Sequence, residues 1–168
     1  MALIHLTGTS ANTVGDLPKK GDAAPDFTLT KNDFSSVSLT DYKGKKVVLN
    51  IFLSVDTGTC SNSIHAFNSS ASQLENTVVL CISKDLPFAI NRFCGAEGIT
   101  NLEMLTDYKD GKFGNDYGVT FKDGPLESLF SRAVVVLDES STVIYTEHVP
   151  QIVDEPNYEA ALEALKNA

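Results

Sequence analysis

The run Lys45-Lys46-Val47-Val48-Leu49-Asn50-Ile51-Phe52-Leu53, continued by Ser54-Val55-Asp56-Thr57-Gly58-Thr59 and then Cys60, decides how this chain folds. A basic entry into an unbroken β-branched and aliphatic stretch reads as a central strand. Thr57-Gly58-Thr59 supplies turn and N-cap chemistry at its end. Beyond Cys60, the residues Ile64, Phe67, Ala71 and Leu74 recur at helical spacing, giving one apolar face. Working outward, Val78–Ile82 reads as a second buried strand. Pro87 suits the first turn of a helix through Phe88, Ile90 and Arg92 toward Cys94, closed by Gly95 and Gly98. Leu102–Leu105 is a short strand and Gly111–Tyr117 a short helix. Ala133–Leu137 and Thr142–Thr146 flank Asp138-Glu139-Ser140-Ser141 as a hairpin, and Tyr158, Ala161, Leu162 and Leu165 mark a C-terminal amphipathic helix. Upstream, Asp26–Thr30 and Ser36–Leu39 read as two short strands. Leu3–Thr7 is extended, with turn residues over Gly8–Asn12. Strand, helix and strand in succession imply parallel pairing, and the late hairpin adds antiparallel strands. The expectation is an α/β fold: a mixed sheet with helices on both faces.

Composition sets the bounds. At 168 residues, with 42% hydrophobic and 21% charged, the chain suits one compact domain, 1–168. Lys and Arg number 13 against 22 Asp and Glu, a formal charge of −9, which repels phosphate backbones and argues against nucleic-acid binding. The longest apolar runs fall far short of the roughly 18 residues that span a bilayer. Met1–Leu6 carries no basic residue ahead of an export-type apolar segment. A cytoplasmic protein without a membrane partner is expected.

Cys60, Cys81 and Cys94 are an odd number, which in a reducing compartment points to transient rather than structural disulfides. No Cys-x-x-Cys occurs, and His5, His65 and His148 are scattered, so the spacing offers no metal site and no thioredoxin-type dithiol. Cys60 stands where a strand gives way to a helix. There, unpaired N–H groups and roughly half a positive charge from the helix dipole favour a thiolate. Thr57 is near enough in sequence to bring a hydroxyl to the sulfur. On position alone Cys60 reads equally as a reactive thiol or as a small buried apolar residue. Cys81, inside a strand, reads as the latter. His65 and His148 read as solvated or packed, and no oxyanion hole or orienting Asn supports a Cys60–His148 protease pair.

Val55-Asp56-Thr57-Gly58-Thr59-Cys60 resembles the Thr-x-x-Cys segment of peroxiredoxins, and specifically of the bacterial thiol peroxidases, an atypical two-cysteine subfamily. The likeness extends through Asn76–Ser83, Asp85-Leu86-Pro87-Phe88-Ala89, Arg92-Phe93-Cys94-Gly95-Ala96-Glu97-Gly98, Ser131–Val136 and Glu155–Ala161. Thr-x-x-Cys alone is weak; joined to Phe-Cys-Gly-Ala-Glu-Gly it is specific. The resemblance implies a thioredoxin-like fold with an N-terminal β-hairpin extension over residues 1–20, a homodimer and no cofactor. It implies reduction of hydrogen peroxide and organic hydroperoxides, with Cys60 peroxidatic and Cys94 resolving in an intramolecular disulfide that thioredoxin re-reduces. Thr57 and Arg132 would complete the site. Arg132 opens a buried-looking strand, where a cation needs a partner; a thiolate and a polarised peroxide suit it, and so would an ordinary carboxylate.

One position departs from the pattern. Peroxiredoxins carry proline where this chain has Leu53, in Pro-x-x-x-Thr-x-x-Cys. Leucine keeps apolar bulk beside the substrate pocket but restores a backbone N–H and frees φ, so a working enzyme with a looser loop is expected. Leu53, Phe93 and Leu129 would give an apolar approach suited to alkyl substrates, and are equally readable as core. A non-catalytic redox sensor using the same disulfide shares this chemistry and differs only in turnover. A protein thiol–disulfide oxidoreductase and an interaction module are the remaining readings.

Overall fold

In the computed structural model, which describes residues 1–168, the apolar runs pair into one seven-stranded sheet that runs, edge to edge, Ser36–Ser38, Thr28–Lys31, Glu103–Thr106, Thr77–Ser83, Lys46–Ile51, Ala133–Leu137 and Val143–His148. Its strands are β3 (Thr28–Lys31), β4 (Ser36–Ser38), β5 (Lys46–Ile51), β6 (Thr77–Ser83), β7 (Glu103–Thr106), β8 (Ala133–Leu137) and β9 (Val143–His148). β5, β6 and β7 run parallel, while β8, β9, β3 and β4 join antiparallel. The helices are α1 (Gly58–Ala71), α2 (Pro87–Glu97), α3 (Lys112–Asp116) and α4 (Tyr158–Lys166), with a 3-10 turn at Leu39–Tyr42. The mixed α/β architecture read from the sequence is present.

β8 is apolar throughout, and β5 is apart from Lys46 and Asn50, because both of their faces are covered. Val47, Leu49 and Ile51 alternate with Val48; the first three join Ala133, Val135 and Leu137 against Phe113, Tyr117 and Leu39. Val48, Val134 and Val136 face the other way, toward Cys60, Ile64 and Phe67 of α1, Ile90 and Phe93 of α2, and Ala161 and Leu165 of α4.

Several boundaries differ from the sequence reading. The α1 pattern predicted through Leu74 stops at Ala71, and Leu74 packs on the same core from the loop beyond. Gly95 lies inside α2 instead of closing it; Gly98, with φ 66, makes the left-handed C-cap. The turn residues expected over Gly8–Asn12 reduce to Thr7-Gly8, and Thr9–Asn12 forms β2, paired antiparallel with β1 (Leu3–Leu6) as a separate hairpin. Glycine at φ 82 permits that tight reversal where side-chain polarity alone suggests a longer loop.

The hairpin is not loose. Asn12 donates through its backbone N–H and side chain to the Asp123 carboxylate at 2.7 and 3.0 Å, and Val14 N–H donates to the Thr120 carbonyl. The approach is closest at Gly118, whose φ is 68 and where any Cβ would overlap the Asp16 backbone. Gly118→Ala is therefore expected to lower unfolding free energy by about 2–4 kcal/mol, measured as an earlier urea midpoint at unchanged m-value.

Candidate active site

The central pair of antiparallel strands builds the site. Ile51 lies opposite Ala133 in the β5–β8 register, so Arg132 arrives at the end of β5 where the chain turns into α1. Cys60 is the third residue of that helix and fully buried. Arg132 Nη1 donates to Cys60 Sγ at 3.4 Å, and Nη2 donates to the Ile152 carbonyl at 2.9 Å. Arg132 is 2% exposed, its Nε has no partner, and no carboxylate forms a salt bridge with it. The alternative in which Arg132 sits in an ordinary ion pair is thus excluded. The side-chain atom that this buried guanidinium meets is the Cys60 sulfur.

The helix mouth adds to this. No protein acceptor meets the backbone N–H of Gly58, Thr59 or Cys60, so three donors and the positive end of the dipole stay available for an anion or a polarised oxygen. Thr57 is the N-cap residue, but its hydroxyl donates to the Ser54 carbonyl at 3.1 Å. The expected hydroxyl–sulfur hydrogen bond is not made, because the tight turn from Ser54 claims that proton. The Thr57 oxygen keeps lone pairs free to accept.

Val55, Asp56, Thr57, Gly58 and Ser61 form one wall of a surface cavity of about 270 Å³, and Arg92, Phe93, Ala96 and Glu97 of α2 form the other. Phe93 contributes the apolar lining expected of it. Leu53 does not line this cavity; it packs in the same core cluster as Cys60, 9% exposed. Leu129 also lies outside it. Arg92 pairs with Asp56 at 2.8 Å across the mouth, an exposed pair of small energetic weight.

The other thiols stand apart. Cys94 is half-buried in the last turn of α2 and opens onto a different cavity, lined with Lys31, Asn32, Asp33 and Met104. All three cysteines are free thiols. Burial pushes the Cys94 thiol above its ordinary value and that of Cys81, with Asn50 Nδ2 3.5 Å from its sulfur, up to about 12. His65 pairs with Glu97. His148 bonds Ser131 Oγ at 2.6 Å and not Cys60, so no cysteine–histidine pair exists.

Sequence reasoning missed the part played by the segment after β9. The Ile152 carbonyl holds Arg132 and the Val153 carbonyl accepts from the Thr59 hydroxyl at 3.2 Å, while Ile152 N–H donates to the His5 carbonyl of the hairpin. Backbone carbonyls carry no residue-type signal, so nothing in the sequence marks them. Tyr158 is also close: its ring meets Phe67 edge-on, and its phenol is raised by burial and by Glu155, with Arg132 acting in the opposite sense.

A strand–turn–helix that delivers a cysteine to a helix mouth facing a buried cation defines a thiol-based redox protein on a thioredoxin-like scaffold. The redoxin family model matches residues 19–162, leaving the hairpin outside it. The chain belongs to the redoxin family, among its thiol peroxidases: it is 52% identical over 165 residues to the thiol peroxidase of Mycobacterium tuberculosis, covering 98% of this chain and 99% of that one. Among solved structures, a peroxiredoxin-like protein from Aquifex aeolicus superposes with a TM-score of 0.93 at 30% identity, over 99% and 97% of the two chains. The thiol peroxidase from Chromobacterium violaceum shares the fold, with a TM-score of 0.91 at 21% identity and the same coverage.

Two measurements follow. Arg132→Met keeps the volume and removes a buried, carboxylate-free charge, so folding stability should hold or rise. Alkylation of Cys60 by iodoacetamide at pH 7 should meanwhile slow by about tenfold, with the cation beside the sulfur gone. Separately, burial pulls the His148 imidazole down from 6.5 to about 4. The folded protein then holds His148 neutral while the unfolded chain binds a proton. Its contribution is complete above pH 6.5 and lost as pH falls toward 4, by about 3 kcal/mol. His148→Gln should flatten that part of a stability–pH curve.

Proposed function

We propose that this chain is a peroxidase whose 168 residues form one catalytic domain, reducing hydrogen peroxide and organic hydroperoxides through Cys60. The observation that carries the reading is the buried Arg132 guanidinium with Cys60 Sγ 3.4 Å away and no carboxylate partner. The thiolate attacks the terminal oxygen of the hydroperoxide. An S–O bond forms as the O–O bond breaks, the sulfur loses two electrons to become a sulfenic acid, and the departing alkoxide takes a proton to leave as alcohol or water. Arg132 offers donors to sulfur and to the peroxide oxygen, the free N–H groups of α1 stabilise developing negative charge, and Thr57 Oγ1 accepts a hydrogen bond from the hydroperoxide O–H.

Cys94 then attacks the sulfenic sulfur. The S–S bond forms, and hydroxide leaves as water with the Cys94 proton. Bridged cysteines need Cα atoms at about 5.5–6 Å, whereas Cys60 is sealed in the first turn of α1 and Cys94 faces another cavity from the last turn of α2. Both turns must therefore open. At α2 the opening is cheap, because the Cys94 carbonyl is held by Gly98 and Ile99 at a glycine cap. The raised Cys94 thiol stays protonated at neutral pH and does not compete for peroxide. Thioredoxin, a dithiol, would restore the pair by two successive exchanges, becoming a disulfide itself.

No helix is long and apolar enough to cross a membrane, and a cytoplasmic location suits three free thiols. A homodimer is the proposed assembly: Phe34 and Phe88, with rings 5.3 Å apart, and Leu86 leave an apolar face open beside α2.

Cys60→Ser should abolish thioredoxin-coupled NADPH consumption with either peroxide. Cys94→Ser should consume one equivalent of peroxide and stop. Peroxide-treated protein should yield a Cys60–Cys94 peptide by mass spectrometry. Oxidation once, without coupled turnover, would instead identify a redox sensor.

A further inference from the structure

The loop between β5 and α1 is where this chain lacks the proline of the resembled pattern, and a single carboxylate from β6's end organises it. Asp85 Oδ1 accepts from the Ser54 hydroxyl at 2.7 Å, and Oδ2 accepts from Val55 N–H at 2.9 Å and from the Ser83 hydroxyl at 2.7 Å. Three donors converge on two oxygens, an arrangement that an acceptor-only group satisfies fully. Ser83 is itself fully buried at the end of β6 and receives Asp85 N–H at 3.2 Å, so the anchor is fixed to the sheet.

From Ser54 the order spreads toward the reactive sulfur. Ser54 Oγ accepts from Asp56 N–H at 3.2 Å, and the Ser54 carbonyl accepts from Thr57 N–H at 3.2 Å and from the Thr57 hydroxyl at 3.1 Å. Thr57 is the N-cap of the helix on which Cys60 is the third residue. The Arg92–Asp56 pair also reaches this loop, but both side chains are more than half exposed and solvent screens it.

We propose that Asp85 is a positioning residue for the peroxidase reaction: through Ser54 and Val55 it fixes the loop that sets the α1 mouth and the Cys60 sulfur against Arg132, doing by hydrogen bonds what a proline ring at position 53 would do by restricting φ. The proposal rests on Cys60 being the peroxide-reactive group. Leu53 N–H donates to no protein acceptor, so a proline there forfeits no hydrogen bond. Position 53 is therefore a site at which rigidity can be returned without touching the clamp.

The test measures single-turnover oxidation of Cys60 by hydrogen peroxide and by cumene hydroperoxide, with quenching and mass spectrometry, since the chain has no tryptophan. Asp85→Ala should slow oxidation about ten- to a hundredfold, Asp85→Asn and Ser54→Ala less. Val55 N–H has Asp85 as its sole acceptor, so its hydrogen exchange reads the clamp directly and should accelerate in Asp85→Ala. Adding Leu53→Pro to Asp85→Ala should recover most of the lost rate, a larger gain than Leu53→Pro gives the parent chain. The proposal is overturned if Asp85→Ala oxidises within about twofold of the parent while Val55 exchange is accelerated, or if proline gives no greater gain in the variant. Should Asp85→Ala not fold, Ser54→Ala and Asp85→Asn are judged by the same criteria. Cys60→Ser run in parallel separates the two readings: peroxide consumption surviving there defeats the peroxidase assignment, whereas its loss there alongside an unaffected Asp85→Ala defeats the clamp alone.

Discussion

A guanidinium buried without a carboxylate is the constraint around which the rest of this structure is arranged. Arg132 has one arm on the Cys60 sulfur and one on the Ile152 carbonyl, and its Nε meets nothing. Removing that cation from water is costly by several kcal/mol. The cost is offset only if a neighbouring group carries negative charge, and the neighbour provided is a thiol that can lose its proton. The scaffold thus sets a buried cation against a sulfur, the arrangement on which the proposed thiol chemistry rests.

Holding two side chains 72 residues apart at 3.4 Å takes three supports. The antiparallel register of β5 with β8 brings Arg132 level with the end of β5. The α1 N-terminus presents Cys60 there, with free N–H groups around it. The segment after β9 closes from above, its carbonyls on Arg132 and Thr59, and is itself tied to the N-terminal hairpin through His5. The hairpin, outside the redoxin match, is in this way continuous with the site. In the proposed cycle the first turn of α1 and the last turn of α2 open for the sulfurs to meet, and helix ends are where such opening loses fewest backbone bonds.

Much of this was legible in the sequence because its signals are local. The apolar run at Val47–Ile51, the periodicity from Ile64 to Ala71, Pro87 at the start of α2 and the apolar face of α4 each reflect a period that burial imposes on neighbouring residues. Boundaries slipped where a glycine's φ decided the turn, as at Gly8, and where a helix ended although its apolar pattern continued into a packed loop at Leu74. The Thr57 hydroxyl was aimed at the sulfur by spacing, and the competing Ser54 carbonyl, three residues back, took it. Leu53 was readable from the sequence as apolar approach or as core, and it packs in the core cluster that holds Cys60.

The sequence by itself determined the α/β order, the helix mouth at Cys60 and, by likeness, the family to which the chain belongs. Tertiary structure alone decided that Arg132 lacks a carboxylate, that Cys60 is sealed in the core while Cys94 opens onto a cavity, and that Asp85 gathers the loop before α1. The physical reason is that helix and strand signals arise between residues a few positions apart, whereas a hydrogen bond or a buried charge is settled by whichever groups the sheet register brings within about 3 Å, and register is a property of the whole core.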